Sequence, residues 1–238
     1  MKRLILLPFL FMIVVFSKGQ TSNVKIDSEY FLFGTLDDYM GRETYKHIAN
    51  RVDAYYKSNT SLVTYLCSIL KDRYPDLTYK TNSYNADRLD LLSESLAKKM
   101  NSLYDFKATG LGHYIGKEDM RTIRLDTIIN NKRAFNTYFD STFIGTVKKD
   151  IFKNNIQRLS FIAGAFQQFG EKKDSTYSIT MYNSNSKAQA IYEQLTELKC
   201  TAENKINNTF SIPNPHRVIF TPTAELKAYL EYFSQKIQ

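Results

Sequence analysis

The sequence predicts an α+β protein that is mostly α-helical, with a helical body over residues 20–170 and a small strand-helix-strand-strand-helix layer over residues 171–238. Three observations carry this. Apolar side chains recur at spacings of three and four through the first 170 residues; the period drops to two after the polar run Glu171-Lys172-Lys173-Asp174; and Asn183-Ser184-Asn185-Ser186 and Pro213-Asn214-Pro215 punctuate the last third. With 43% hydrophobic and 24% charged residues, nine Gly and two Cys, collagen-like, disulfide-scaffold and wholly disordered classes are excluded.

Tyr45, Ile48, Val52 and Tyr55 predict a first helix over residues 43–56, and Leu62, Leu66, Ile69 and Leu70 a second. Tyr74-Pro75 stops the second, because the residue before proline is pushed out of the helical region. Asn85 is the expected cap of a third, carrying Leu89, Leu92, Leu96, Met100 and Leu103. A fourth is expected after Gly116, with Glu118 and Asp119 in its first turn. Ile144, Val147, Ile151, Ile156, Leu159, Ile162, Ala163, Phe166 and Phe169 predict one long helix ending at Gly170, whose Ala163-Gly164-Ala165 stretch suits close approach of another backbone.

Beyond it, Tyr177, Ile179 and Met181 alternate as a half-buried strand requires, and Asn183 to Ser186 offer caps to a helix with Ala188, Ile191, Leu195 and Leu198 on one face. Residues 206–212 and 217–221 read as strands, and Leu226, Tyr229, Leu230 and Phe233 as the stripe of a closing helix. This order, each strand leading into a capped helix, is similar to the SPOR-type domains that bind cell-wall glycan, although Asn183 and Thr221 stand where glycine is usual after the strands.

Lys2 and Arg3 precede the apolar run Leu4 to Phe16, and Ser17-Lys18-Gly19 follow, which reads as a signal peptide over residues 1–19 cleaved before Gln20. Thirteen apolar residues reach about 20 Å, short of a hydrocarbon core of roughly 30 Å. Cleavage removes Lys2, Arg3 and Lys18 and lowers the formal charge from +8 to +5. The expectation is an exported chain, periplasmic or extracellular, mildly basic, with no later membrane span and no nucleic-acid partner.

The histidines His47, His113 and His216 form no HExxH or Cys/His cluster, and no P-loop, Rossmann fingerprint or GxSxG elbow occurs, so neither metal nor cofactor is expected and the reading leans away from an enzyme. Two segments are candidate polar-ligand sites. One joins Gly112 and His113 of a glycine-rich connection to Lys117 and Arg121; the other is Asn183, Ser184, Ser186 and Lys187, where a strand feeds a helix N-terminus. Cys67 and Cys200 could pair in an oxidising compartment, and seventeen Tyr and sixteen Phe raise the possibility of a stacking surface. The function expected from these readings is a non-catalytic binding module for an envelope protein or glycan. The alternatives are an envelope hydrolase with dispersed catalytic groups or a structural part of a surface assembly.

Overall fold

A computed structural model describes residues 24–44, 50–83, 85–114, 122–124, 139–206 and 213–237. The first described element is α1 (Ser28–Thr35), capped by Asp27, whose carboxylate accepts from the Tyr30 N–H. Residues 29 to 35 are all buried, so α1 is a central helix with no polar face. Strands β1 (Arg42–Thr44) and β2 (Arg51–Tyr56), helix α2 (Thr60–Leu70), strands β3 (Thr78–Thr81) and β4 (Arg88–Leu92), and helix α3 (Glu94–Asn101) follow. Then come β5 (Tyr104–Tyr114), β6 (Thr122–Arg124) and β7 (Phe139–Val147). The remainder is α4 (Asn155–Phe169), β8 (Gly170–Lys173), β9 (Thr176–Tyr182), α5 (Asn185–Glu197), β10 (Thr201–Ile206), β11 (Pro215–Thr221) and α6 (Ala224–Lys236).

The mostly helical class is therefore corrected. The described strands form three antiparallel sheets, ordered β1-β7-β5-β6, β2-β4-β3 and β10-β11-β9-β8. Residues 51–56 form a strand, because a bulge between Arg51 and Asp53 turns both Val52 and Tyr55 into the core, and their three-residue spacing imitates a helix. The expected third helix is split: Leu89 and Leu91 face inward from β4, and Ser93, accepting from the Leu96 N–H, caps the shorter α3. The long helix begins only at Asn155: Ile144 to Val147 belong to β7, residues 148–154 form a connection, and Asn154 caps α4 by accepting from the Gln157 N–H. The glycine-rich run after Thr109 extends β5, paired with β6 and β7, where a connection into a helix was expected. The first turn of the helix expected after Gly116 lies outside the described residues, as does the leader, and where that helix would continue Thr122–Arg124 form β6 paired with β5.

The order helix, two strands, helix, two strands, helix occurs twice: α1 to α3, then α4 to α6, with the β5 to β7 segment between. By position, β2 corresponds to β9 and β4 to β11, and each pair lies side by side in its sheet. The halves meet where α1 crosses α4. A Cβ on Gly34 would lie 2.2 Å from the Phe161 carbonyl oxygen, and one on Gly164 would lie 2.0 Å from that of Phe31, so backbone touches backbone on both sides. Phe33 stacks on Phe161 with centroids 4.9 Å apart, and Phe31 meets Phe233 of α6 at 4.6 Å. Each of these fully buried rings contributes roughly 1.5–3 kcal/mol of burial free energy.

Candidate functional site

A cleft of about 1270 Å³ opens between the two halves. One wall is the open face of the β2-β4-β3 sheet, presenting Arg51, Ala54, Tyr56 and Arg88; the other is that of the second repeat's sheet, presenting Thr180, Tyr182, Pro215 and Arg217. Alternation dictates these faces: Tyr55, Leu89 and Leu91 point into the core on one side, and Tyr177, Ile179, Met181, Val218 and Phe220 on the other. The floor is made where α1 and α4 end, by Asp37, Tyr39, Gln168 and Phe169. Met40 and Gly41 carry the chain away from α1 in left-handed conformation (φ 61° and 97°), which Gly41 adopts without strain.

Beneath the floor lies a buried polar network. The Arg42 guanidinium, 6% exposed, donates from Nε to the Asn101 Oδ1 at 3.2 Å and from Nη2 to the Val52 carbonyl, and sits 3.9 Å from the Asp53 carboxylate. Asp53 also accepts the Asp37 backbone N–H at 2.7 Å and that of Ala54 at 2.9 Å. Burial nevertheless pushes its carboxyl up to about 6, with Arg42 pulling the other way. Asp37 is raised too, burial outweighing the pull of Lys187 and Arg88. Tyr104 donates to the Asp38 Oδ2 at 2.7 Å, whereas the buried Oδ1 of Asp38 finds no hydrogen-bond partner among the described residues. The fully buried Lys187 ammonium donates to the Leu36 carbonyl at the end of α1, and desolvation lowers its pKa against the pull of Asp38 and Asp53.

Of the residues singled out from the sequence, Asn183, Ser184, Ser186 and Lys187 do come together, as the joint between the halves. Asn183 (φ 49°) accepts the Met40 N–H at 2.8 Å on its carbonyl and the Asn214 N–H at 2.7 Å on its Oδ1; Ser186 accepts the Val147 N–H at 2.8 Å. The buried Ser184 hydroxyl has no partner among the described residues. Gly112 and His113 lie on β5, opposite Ile123 and Thr122 of β6, while Lys117 and Arg121 fall outside the described residues. His216 is buried on the core side of β11, which lowers its pKa. Cys67 and Cys200 are free thiols, so the bridge considered for them is not formed, and burial raises both. Among the described residues no group of three or more His, Cys, Asp or Glu side chains is placed to hold a metal ion, and no helix is long and apolar enough to cross a membrane.

The cleft tyrosines were not distinguished in the sequence from the many core aromatics. Their signal is positional, since Tyr56 and Tyr182 each end a strand that leads into a helix. Tyr39, Tyr56 and Tyr182 are 46%, 53% and 51% exposed, so the three most exposed aromatics among the described residues lie in this cleft. The Arg88 guanidinium lies 4.5 Å over the Tyr56 ring, its cross-strand partner.

No family model and no curated protein matches the chain. Among solved structures it is similar to mesophilic variants of the homing endonuclease I-DmoI (12% identity, TM-score 0.42, covering 88% of this chain and 94% of that one). It is also similar to a variant of I-DmoI in complex with its target DNA (14%, TM-score 0.41, 87% and 92%) and to the N-terminal LAGLIDADG domain of DUF199/WhiA (10%, TM-score 0.38, 89% and 87%). These neighbours, a homing endonuclease, one variant of it in complex with its target DNA, and a LAGLIDADG domain, lend the envelope reading no support. The exported placement, the envelope protein or glycan partner, the hydrolase and surface-assembly alternatives, and the expectation of no nucleic-acid partner find no support in these comparisons and are not carried further. At these scores and identities the likenesses place the chain in no family and give it no activity.

Proposed function

We propose that the chain binds nucleic acid in the cleft between its two repeats. The observation that carries this is the gathering of Arg51, Arg88 and Arg217 with three exposed tyrosines and the amides Asn59, Asn82 and Gln168 on the walls and floor of one cleft. Guanidinium groups recognise phosphate and base edges, amides recognise base edges, and aromatic faces stack on bases. Along the same open faces, Lys205 stands opposite Arg217 on β11 and pairs with Glu203 at 3.4 Å, and Lys80 stands opposite the Asp90 carboxylate on β4, so mixed charge continues past the cleft on both sides.

The test is fluorescence anisotropy of labelled oligonucleotides, single-stranded and duplex, with the wild type and the double variant Arg88→Ala, Arg217→Ala. Saturable binding that the double variant weakens at least tenfold is the expected result. If neither form of oligonucleotide binds at low salt, or if the double variant binds like the wild type, the cleft is not a nucleic-acid site.

A further inference from the structure

We infer that the occupant of the cleft is a strand with unpaired bases, held by stacking on Tyr56 and Tyr182, and that uninterrupted duplex is the poorer ligand. This rests on the nucleic-acid reading and narrows it.

Charge supplies the first part of the argument. The cleft is lined by four arginines, Arg42, Arg51, Arg88 and Arg217, and by four carboxylates, Asp37, Glu43, Asp53 and Glu171. Arg42 is engaged with Asp53, and Arg217 with Glu171 at 3.6 Å. Duplex binding draws its affinity largely from neutralised phosphates, and a cleft in which acids match bases offers few of them. Base contacts must carry the remainder.

Aromatic placement supplies the second part. Tyr56 and Tyr182 are the last residues of β2 and β9, corresponding strands of the two repeats, so the fold puts one exposed ring at the same position on each wall. The Arg88 guanidinium over Tyr56 stiffens a planar platform, and Arg217 donates to the Ser178 hydroxyl at 3.0 Å on the opposite wall. Tyr39 adds a third exposed ring from the floor. A base stacked within a duplex offers its faces only to neighbouring bases, whereas an unpaired base can lie on a tyrosine whatever its identity.

The experiment measures anisotropy of an oligonucleotide of about 16 nucleotides, as DNA, as RNA and as the matching duplex, with wild type, Tyr56→Ala, Tyr182→Ala and the Phe variants at both positions. Expected are tighter binding of the single strand than of the duplex, losses of about 5- to 100-fold in single-strand affinity for each Ala variant, and near-wild-type affinity for the Phe variants, which keep the ring. The salt dependence should be shallow, with a log-log slope of about −1 to −2. The DNA and RNA arms identify the natural sugar. Duplex binding that equals or exceeds single-strand binding, or Ala variants within twofold of wild type, overturns this inference and leaves the nucleic-acid reading standing. Absence of binding in every arm overturns both.

Discussion

Substituting Gly164→Ala at the α1–α4 crossing would place a methyl group 2.0 Å from the Phe31 carbonyl oxygen and 2.9 Å from its carbon. Real Cβ contacts stay beyond 3.0 Å, so the two helices must part by about 1 Å at this point. The opposing atoms are backbone and cannot rotate away. In an open helix, Ala is preferred to Gly by about 0.8–1 kcal/mol, so a net loss must come from the crossing itself. Overpacking typically costs about 1–3 kcal/mol, and rigid backbone on both sides with Phe31, Phe33 and Phe161 buried around it puts this site at the top, about 3 kcal/mol. For a chain of this length that lowers Tm by about 6–12 °C. Urea denaturation followed by circular dichroism, with a parallel thermal melt, measures both. Gly34→Ala, 2.2 Å from the Phe161 carbonyl oxygen, should behave alike, and the double variant should cost less than the two singles added, because the first substitution already opens the crossing. A Gly164→Ala protein within 1 kcal/mol of wild type would refute the claim of rigid contact.

Three further outcomes are expected. Glu29 accepts from Arg73 at 2.6 Å and Tyr74 at 2.8 Å and lies 3.3 Å from Lys99; burial raises its pKa, but these partners outweigh burial and leave it lowered. Its stabilisation is therefore present above the ordinary carboxylate value of 4.5 and lost as pH falls through the lower folded value; Glu29→Gln should cost about 1–3 kcal/mol at pH 7 and flatten that acid slope in urea melts, and an unchanged slope would count against it. Asp53 moves the opposite way, from 3.8 to about 6, so its contribution favours the folded state below about pH 4 and disappears as pH rises through 6; carbon NMR of its carboxyl should titrate near 6, and a midpoint near 4 would show it well solvated. Lys187→Met keeps the stem but strips the Leu36 carbonyl of its donor and Asp38 of a neighbouring cation, for an expected loss of about 3–5 kcal/mol in chemical denaturation; a loss under 1 kcal/mol would show the ammonium to be dispensable.

Some of this structure was legible in the residues. Helix α2 keeps its stripe of Leu62, Leu66 and Leu70 and ends before Pro75, and β9, α5 and α6 lie where the change of period puts them. Elsewhere local periodicity misled, because long-range contacts decided the outcome: a bulge in β2 gave strand residues helical spacing, and the ladder with β5 claimed Ile144 to Val147. Helix α1 shows no stripe because every side is buried, and with it the repetition of the two halves stayed hidden. At the site, the Asn183 to Lys187 segment was conspicuous for its capping residues, yet Asn183 and Lys187 bond across to the first half, Ser186 holds the end of β7, and the Ser184 hydroxyl has no partner among the described residues. The tyrosines of the walls are ordinary in sequence and acquire meaning when strand pairing sets two of them at matching positions.

The crossing of α1 and α4 also fixes the bore of the cleft from within. Each wall is carried by one repeat, and the repeats are spaced by two glycines that do not line the cleft. Evolution could thus recalibrate which girth of molecule is admitted by exchanging small residues in the interior, while every group facing the guest stays the same.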